Sequence, residues 1–215
     1  MEKRIVIADL HIGDNYSQYK HALAHLTACK EIIILGDCHD RQKGGNPQVF
    51  HAFLHQCLVA ADKVIYVMGN HEWMPSGPDP EVLLREMRVC DHYDITLAGL
   101  RYRFIHGHQY DFVVAKMRWL SWFSVQLQRA FDWCFGTNIK RWLRSFKCSQ
   151  GKLAKIEAKC LKANENHCDV LVMGHTHRPD ICLIDNTQLV VAGDFIEHST
   201  WAVIEDARIS LVKLD

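Results

Sequence analysis

Glu31-Ile32-Ile33-Ile34-Leu35-Gly36-Asp37-Cys38-His39-Asp40 changes character at its midpoint. Its first half is an apolar, β-branched run of the length of a buried strand; a glycine then breaks the run and a carboxylate follows at once. The same grammar recurs along the chain. Arg4 to Ala8 leads into Asp9-Leu10-His11, Lys63 to Met68 into Gly69-Asn70-His71-Glu72, and Val170 to Met173 into Gly174-His175-Thr176-His177. A fifth segment, His106-Gly107-His108, follows the strand-like Leu100 to Ile105. Tyr19 to Cys29 and Val49 to Ala60 carry a helical period, so the first half reads strand, helix, strand, helix, strand. In such a fold, ligands bind beyond the carboxyl ends of the strands.

From Asp94 onward the pattern shifts to short strands: Ile95 to Ala98, Leu100 to Ile105, Ile181 to Ile184, Gln188 to Ala192, Trp201 to Ile204 and Arg208 to Leu214. Turns such as Asp185-Asn186 between them predict an antiparallel second sheet, packed on the first with helices outside. Residues 112 to 163 interrupt this pattern as one helical excursion, expected to break at Gly136-Thr137-Asn138 and around Cys148 to Gly151.

A chain of 215 residues buries a large core without cross-links and is read as one domain, residues 1 to 215, carrying the insert. Nine scattered cysteines with no Cys-x-x-Cys argue against a disulfide scaffold or a structural zinc cluster and predict reduced, packed thiols in a cytoplasmic protein. The apolar run at the N-terminus is too short for a signal sequence, and no stretch approaches the length of a membrane span. Twenty-five basic residues balance twenty-five acidic ones, which gives no general reason to expect a nucleic-acid partner.

The five segments carry the chemistry. Asp9 and His11 are two apart, so on an extended strand end both would leave the same face and grip one ion. His175 and His177 repeat that spacing. Asp37 stands just past a strand tip, and its two oxygens can bridge two metals; Asn70 holds the equivalent place after the next strand and ligates without adding charge. His106 adds a further imidazole. Hard oxygens mixed with imidazoles suit a pair of first-row divalent ions, which polarise a phosphoryl group and lower the pKa of bound water. His71 would protonate the leaving oxygen or steady the phosphate charge, with Glu72 holding its other nitrogen. His21, His25, His51, His55, His92 and His167 read as surface or satisfied core residues.

This ordered set resembles the calcineurin-like metallophosphoesterase superfamily, whose elements are D-x-H, G-D-x-x-D/E, G-N-H-D/E, G-H or H-G-H, and G-H-x-H. The match spans residues 5 to 194. The resemblance implies an α/β fold, a four-layer α/β/β/α sandwich of two mixed sheets flanked by helices, with a helical lid insertion. It also implies that Asp9, His11, Asp37 and His177 hold one metal and that Asp37, Asn70, His106 and His175 hold the other. Asp37, Asn70 and His71 are then the catalytic set, and hydrolysis of a phosphodiester or pyrophosphate bond by a metal-bound hydroxide is the implied reaction. Manganese is the first expectation; Fe, Zn or Co fit the same donors.

Within that superfamily the chain is similar to UDP-2,3-diacylglucosamine pyrophosphatase-like proteins. The similarity rests on the continuation Arg178-Pro179 after His177, on Gly193-Asp194-Phe195-Ile196-Glu197, and on a helical insert between His106 and His175. Glu72 stands where Asp is common, and the best-known lipid A pathway members have Arg in place of His71 and usually H-G-D where this chain has His106-Gly107-His108. The implied substrate is a nucleotide-linked lipid. Asp40, Glu72, His108 and Arg178 stand beside the ligand set as supporting or substrate-contacting residues.

Residues 112 to 147 hold seven basic residues against one acid, Asp132, and four of the six tryptophans. Trp119 and Trp122 lie among Leu120, Phe123, Val125 and Leu127, a basic aromatic segment suited to an acidic amphiphile or to peripheral contact with an anionic inner-membrane surface. An ordinary amphipathic hairpin packed on the domain accounts for the same pattern. Two rival functions stand beside the lipid reading: a general phosphodiesterase or nuclease, and a metal-binding interaction scaffold with weak or no activity. Oligomeric state is not encoded in any of these signals.

Overall fold

The computed structural model describes residues 2–40, 45–72, 87–116 and 147–214. In chain order these form β1 (Arg4–Ile7), α1 (Tyr19–His25), β2 (Cys29–Ile34), α2 (Pro47–Ala60), β3 (Ala61–Val67), β4 (Arg88–Cys90), β5 (His92–Leu97) and β6 (Leu100–Ile105). A 3-10 turn at His108–Tyr110 follows, then α3 (Phe112–Lys116), α4 (Lys147–Asn164), β7 (Val170–Met173), β8 (Asp180–Ile184), β9 (Thr187–Val191), β10 (Thr200–Glu205) and β11 (Arg208–Lys213).

Period-two alternation sorts the strand residues into layers. Ile5, Ile7, Ile32, Ile34, Val64 and Tyr66 face α1 and α2, where they meet Ala22, Phe50, Phe53 and Leu54. Val6, Ala8, Ile33, Leu35, Ile65 and Val67 face the other way, onto Tyr102, Phe104, Val170, Val172 and Val190 of the second sheet. The outer face of that sheet, with Leu171, Met173, Leu189 and Val191, packs on Ile156, Cys160 and Leu161 of α4. The result is the expected α/β/β/α sandwich. β2 is buried on both faces, which is why it reads as a continuous apolar run, and each of its isoleucines contributes roughly 1.5–3 kcal/mol by burial.

Both sheets are mixed, which corrects the antiparallel reading of the second half. The first has the order β11-β10-β1-β2-β3-β4, with β1 to β4 parallel and β10 antiparallel to β1. The C-terminal hairpin therefore belongs to the first sheet. The second has the order β5-β6-β7-β9-β8, and β6, β7 and β9 run parallel. Strand periodicity shows which residues face a core, but it does not say which strand is the neighbour; three residues of β4 are too few to carry any periodicity.

Other boundaries also move. α1 stops at His25, and Cys29 already belongs to β2. α2 starts at Pro47, two residues before the apolar period, because the Asn46 side chain accepts from the Gln48 amide and proline suits the first turn. α4 runs unbroken through Cys148 to Gly151. Trp119, Trp122 and the Gly136 to Asn138 break lie outside the described residues. Among the described residues the cysteines are free thiols, with Cys38, Cys57, Cys160 and Cys168 buried. No helix among them is long and apolar enough to cross a membrane.

Candidate metal centre

Because β1, β2 and β3 are parallel and β6, β7 and β9 run parallel in the facing sheet, their carboxyl ends deliver loops to one edge of the sandwich. The sheets are tied together there. His106 donates from Nδ1 to the Leu35 carbonyl of the first sheet at 2.6 Å, and the His175 amide donates to Asp9 Oδ2 at 2.8 Å. Two glycines permit the close approach. A Cβ at Gly69 would lie 2.3 Å from Asp37 Oδ1, and one at Gly174 would lie 2.6 Å from Asp9 Oδ2.

The loops do not continue the strands as extended chain. Asp9, His11, Asp37, His175 and His177 all adopt left-handed backbone conformations, with φ between 48° and 66°. Tight turns rather than strand alternation therefore aim these side chains: Asp9 and His11 join one group, while His175 and His177 part to separate groups, against the expectation that they point one way. Such conformations cost non-glycine residues of order 1 kcal/mol or more each and cluster at functional sites.

Asp9, His11 and His177 gather on one side; Asp37, His106 and His175 gather on the other, with donor atoms within 4.8 Å of one another in each group. Asn70 joins the second group, its Oδ1 3.2 Å from His106 Nε2. Asp37 Oδ1 accepts from the His71 amide at 2.9 Å, while Oδ2 turns inward, 3.4 Å from His106 Nε2 and 3.6 Å from His71 Nε2.

The support of His71 differs from the sequence reading. Glu72 does not hold the ring of His71; its carboxylate instead accepts from the amides of Asp37, Cys38 and Gly69 and from the Tyr66 hydroxyl, at 2.8–3.0 Å. Asp40 holds the ring instead: His71 Nδ1 is hydrogen-bonded to Asp40 Oδ1, and His11 Nδ1 to Asp40 Oδ2 at 2.9 Å. Burial works against a charged Asp40, but the two imidazoles outweigh it and hold the carboxyl well below its usual range.

The residues fit two divalent cations. The carboxylates of Asp40 and Asp194 can only accept, so His11 and His177 donate from Nδ1, the latter at 2.6 Å. That leaves two Nε2 lone pairs facing each other at 3.3 Å. Asp9 Oδ1 lies 3.1 Å from His177 Nε2, is buried, and has no hydrogen-bond partner. Acceptors so arranged repel unless a cation or a proton lies among them. On the other side the Leu35 carbonyl fixes Nδ1–H on His106, and its Nε2 faces the oxygens of Asn70 and Asp37. Burial disfavours a charged His106, yet the nearby Asp37 and Asp9 carboxylates push it up to about 10, the mark of a site that attracts positive charge.

Of the remaining candidates, His108 is half-buried with its ring 5.3 Å from that of His106, and Arg178 pairs with Glu157 of α4. Three residues near the centre carried no role in the sequence reading. Asp194, after β9, holds His177; Asp111 faces His175; Tyr66 supports Glu72. Gly193-Asp194 repeats the strand-glycine-aspartate grammar of Gly36-Asp37 and was legible on that ground. Asp111 and Tyr66 had no such signal.

A four-layer sandwich that collects carboxylates and imidazoles at one edge of both sheets defines a metallophosphoesterase framework. The family model for calcineurin-like phosphoesterases matches residues 3–179, and the chain belongs to that family, whose members bind divalent metals and act on phosphate esters. Comparison with curated proteins gives no match. Among solved structures, a single-site variant of Vps29 from Entamoeba histolytica superposes with a TM-score of 0.54 at 12% identity over 99% of both chains. A novel archaeal phosphodiesterase gives 0.52 at 12% identity, again over 99% of both. Vps29 from Chaetomium thermophilum gives 0.51 at 13% identity, covering 100% of this chain and 97% of that one. At these identities the likeness is one of fold.

Proposed function

We propose that the chain is a dinuclear-metal phosphoesterase that hydrolyses a phosphodiester or pyrophosphate bond. The observation that carries this reading is the convergence of Asp9 Oδ1, His11 Nε2 and His177 Nε2 on one point, set beside the Asp37, Asn70, His106 and His175 group. Asp9, His11, Asp37 and His177 would hold one ion, and Asp37, Asn70, His106 and His175 the other, with Asp37 shared. When bound, the ions would polarise the phosphoryl group and make water acidic enough to attack it near neutral pH.

The rest of the work falls to the protein. Asp40 fixes the tautomer and direction of the His71 ring, whose Nε2 points toward the inward oxygen of Asp37. From there His71 supplies a proton to the leaving oxygen, a step worth roughly two to four orders of magnitude. Asn70 adds an amide oxygen without adding charge. A scaffold that only binds a partner would not need this oriented imidazole.

For substrate we infer a nucleotide-linked lipid such as UDP-2,3-diacylglucosamine, supported by the basic, tryptophan-rich composition of residues 112 to 147 and by the motif continuations at Arg178 and Asp194. Peripheral membrane contact through the same segment follows from that composition. The test is hydrolysis by the manganese-loaded protein of bis(p-nitrophenyl) phosphate and of UDP-2,3-diacylglucosamine, for the wild type, Asp37→Ala, His71→Ala and the double change of Trp119 and Trp122 to Ser. Expected are metal-dependent turnover, near-complete loss in the first two variants, and a raised KM for the lipid alone in the third. Unchanged turnover in His71→Ala would refute the mechanism; equal losses on both substrates in the tryptophan variant would refute the lipid reading.

A further inference from the structure

Three of the four imidazoles read above as metal ligands share one arrangement. His11, His106 and His177 each send Nδ1 to an acceptor behind them, Asp40, the Leu35 carbonyl and Asp194 in turn, and present Nε2 to the centre. His175 is turned the other way: its Nε2 faces Asp111 Oδ2 at 3.6 Å. Asp111 is itself buried, although it stands outside the group that His175 forms with Asp37 and His106. With Nε2 directed at a carboxylate behind the ring, Nδ1 is the nitrogen left for the group in front.

Asp111 is also held in place from the insert. Its carbonyl accepts from the Ala115 amide in the short helix α3, its amide donates to the His108 carbonyl, and its Oδ2 lies 3.6 Å from Lys152 Nζ on α4. One and a half turns along the same helix, buried Glu157 pairs with Arg178, the residue after His177. The helix that closes the insert therefore touches both loops that supply second-sheet imidazoles.

We propose that Asp111 is a positioning residue for His175: it accepts Nε2–H, directs Nδ1 to the second ion, and couples that ligand through Lys152 to the placement of α4. The inference rests on the reading of His175 as a ligand given above. A carboxylate on the far nitrogen fixes ring direction and raises basicity at the near one, and losing such a partner typically weakens metal binding about 10- to 100-fold.

The experiment titrates Mn²⁺ into the metal-free full chain, following free Mn²⁺ by electron paramagnetic resonance, for wild type, Asp111→Ala, Asp111→Asn and Lys152→Ala. Long-range ¹H–¹⁵N spectra of the Zn²⁺-loaded wild type then identify the coordinating nitrogen of each histidine. In Asp111→Ala the second equivalent should weaken about 10- to 100-fold and the first should stay within about twofold. Asp111→Asn, whose amide oxygen still accepts, should recover most of the loss, and Lys152→Ala should show a smaller loss confined to the second equivalent. His175 alone should bind through Nδ1. A wild-type second equivalent in Asp111→Ala, equal weakening of both equivalents, or coordination of His175 through Nε2 overturns the inference. The spectra use only the wild type, so they decide the matter even if the variants fold poorly. A wild type that takes up fewer than two ions overturns the ligand assignment itself; two ions in the wild type with no effect of Asp111→Ala overturns this inference alone.

Discussion

Glu72→Gln removes one acceptor and leaves almost everything else in place. Oε2 accepts from the Asp37 and Gly69 amides, and Oε1 from the Cys38 amide and the Tyr66 hydroxyl. The glutamine oxygen does best in the Oε2 position, keeping two backbone amides, because the Tyr66 hydroxyl can rotate and accept from the new NH₂ group. The Cys38 amide cannot. One buried N–H then loses its partner, at a cost of about 1–3 kcal/mol, and the remaining bonds lose their charge assistance. Against this, burial and the Asp37 charge raise the Glu72 carboxyl above its usual range, so a neutral side chain recovers part of the cost of burying the anion. The net loss should be about 2 kcal/mol, or roughly 4–8 °C in Tm for a chain of this size. Thermal and urea unfolding of the metal-free protein measure it. Because the lost bond lies in the loop that carries Asp37, metal affinity should fall as well. A variant within about 0.5 kcal/mol of wild type, with unchanged metal binding, refutes the view that Glu72 braces that loop.

Asp40→Ala should weaken the first ion about 10- to 100-fold because His11 loses its brace, whereas His71→Ala should leave both metal affinities within about twofold; equal metal loss in the two variants counts against separate roles. Glu31→Ala leaves buried Arg4 without its main partner, at the far end of the strands from the metal centre, and should cost about 3 kcal/mol in urea unfolding with no change in metal affinity. In the metal-free protein His106 is raised to about 10 from 6.5, so the stability it contributes is full below pH 6.5 and is lost as pH rises toward 10. The urea midpoint of that form should fall through this window. Saturating Mn²⁺, which takes the place of the proton, should remove the fall; a flat profile without metal refutes the assignment.

Much of the site was readable because it is built from short segments attached to strands. An apolar run followed by a donor residue marks both an element and its chemical end; that grammar located Asp9 and His106 directly, and Asp37, Asn70 and His175 with a glycine between. Supporting contacts were read less well. Glu72 follows His71 in the chain and was expected to hold its ring, yet the ring meets Asp40, 31 positions away, because the loops after β2 and β3 fold against each other. Sequence distance is a poor guide to such contacts, since a hydrogen bond depends on where two loops meet and not on how far apart they start.

The amino-acid order by itself determined most of the strands, though not β4 or the start of β2, which of their residues face a core, and which donor groups stand at strand ends, because these follow from local period and composition. Tertiary structure alone decided which strands are neighbours, that the last hairpin joins the first sheet, and that Asp40, Asp111 and Asp194 stand behind the imidazoles. Pairing between sheet edges and the direction of a ring nitrogen are set by the packing of elements distant in sequence. Periodicity within one element carries no record of that packing.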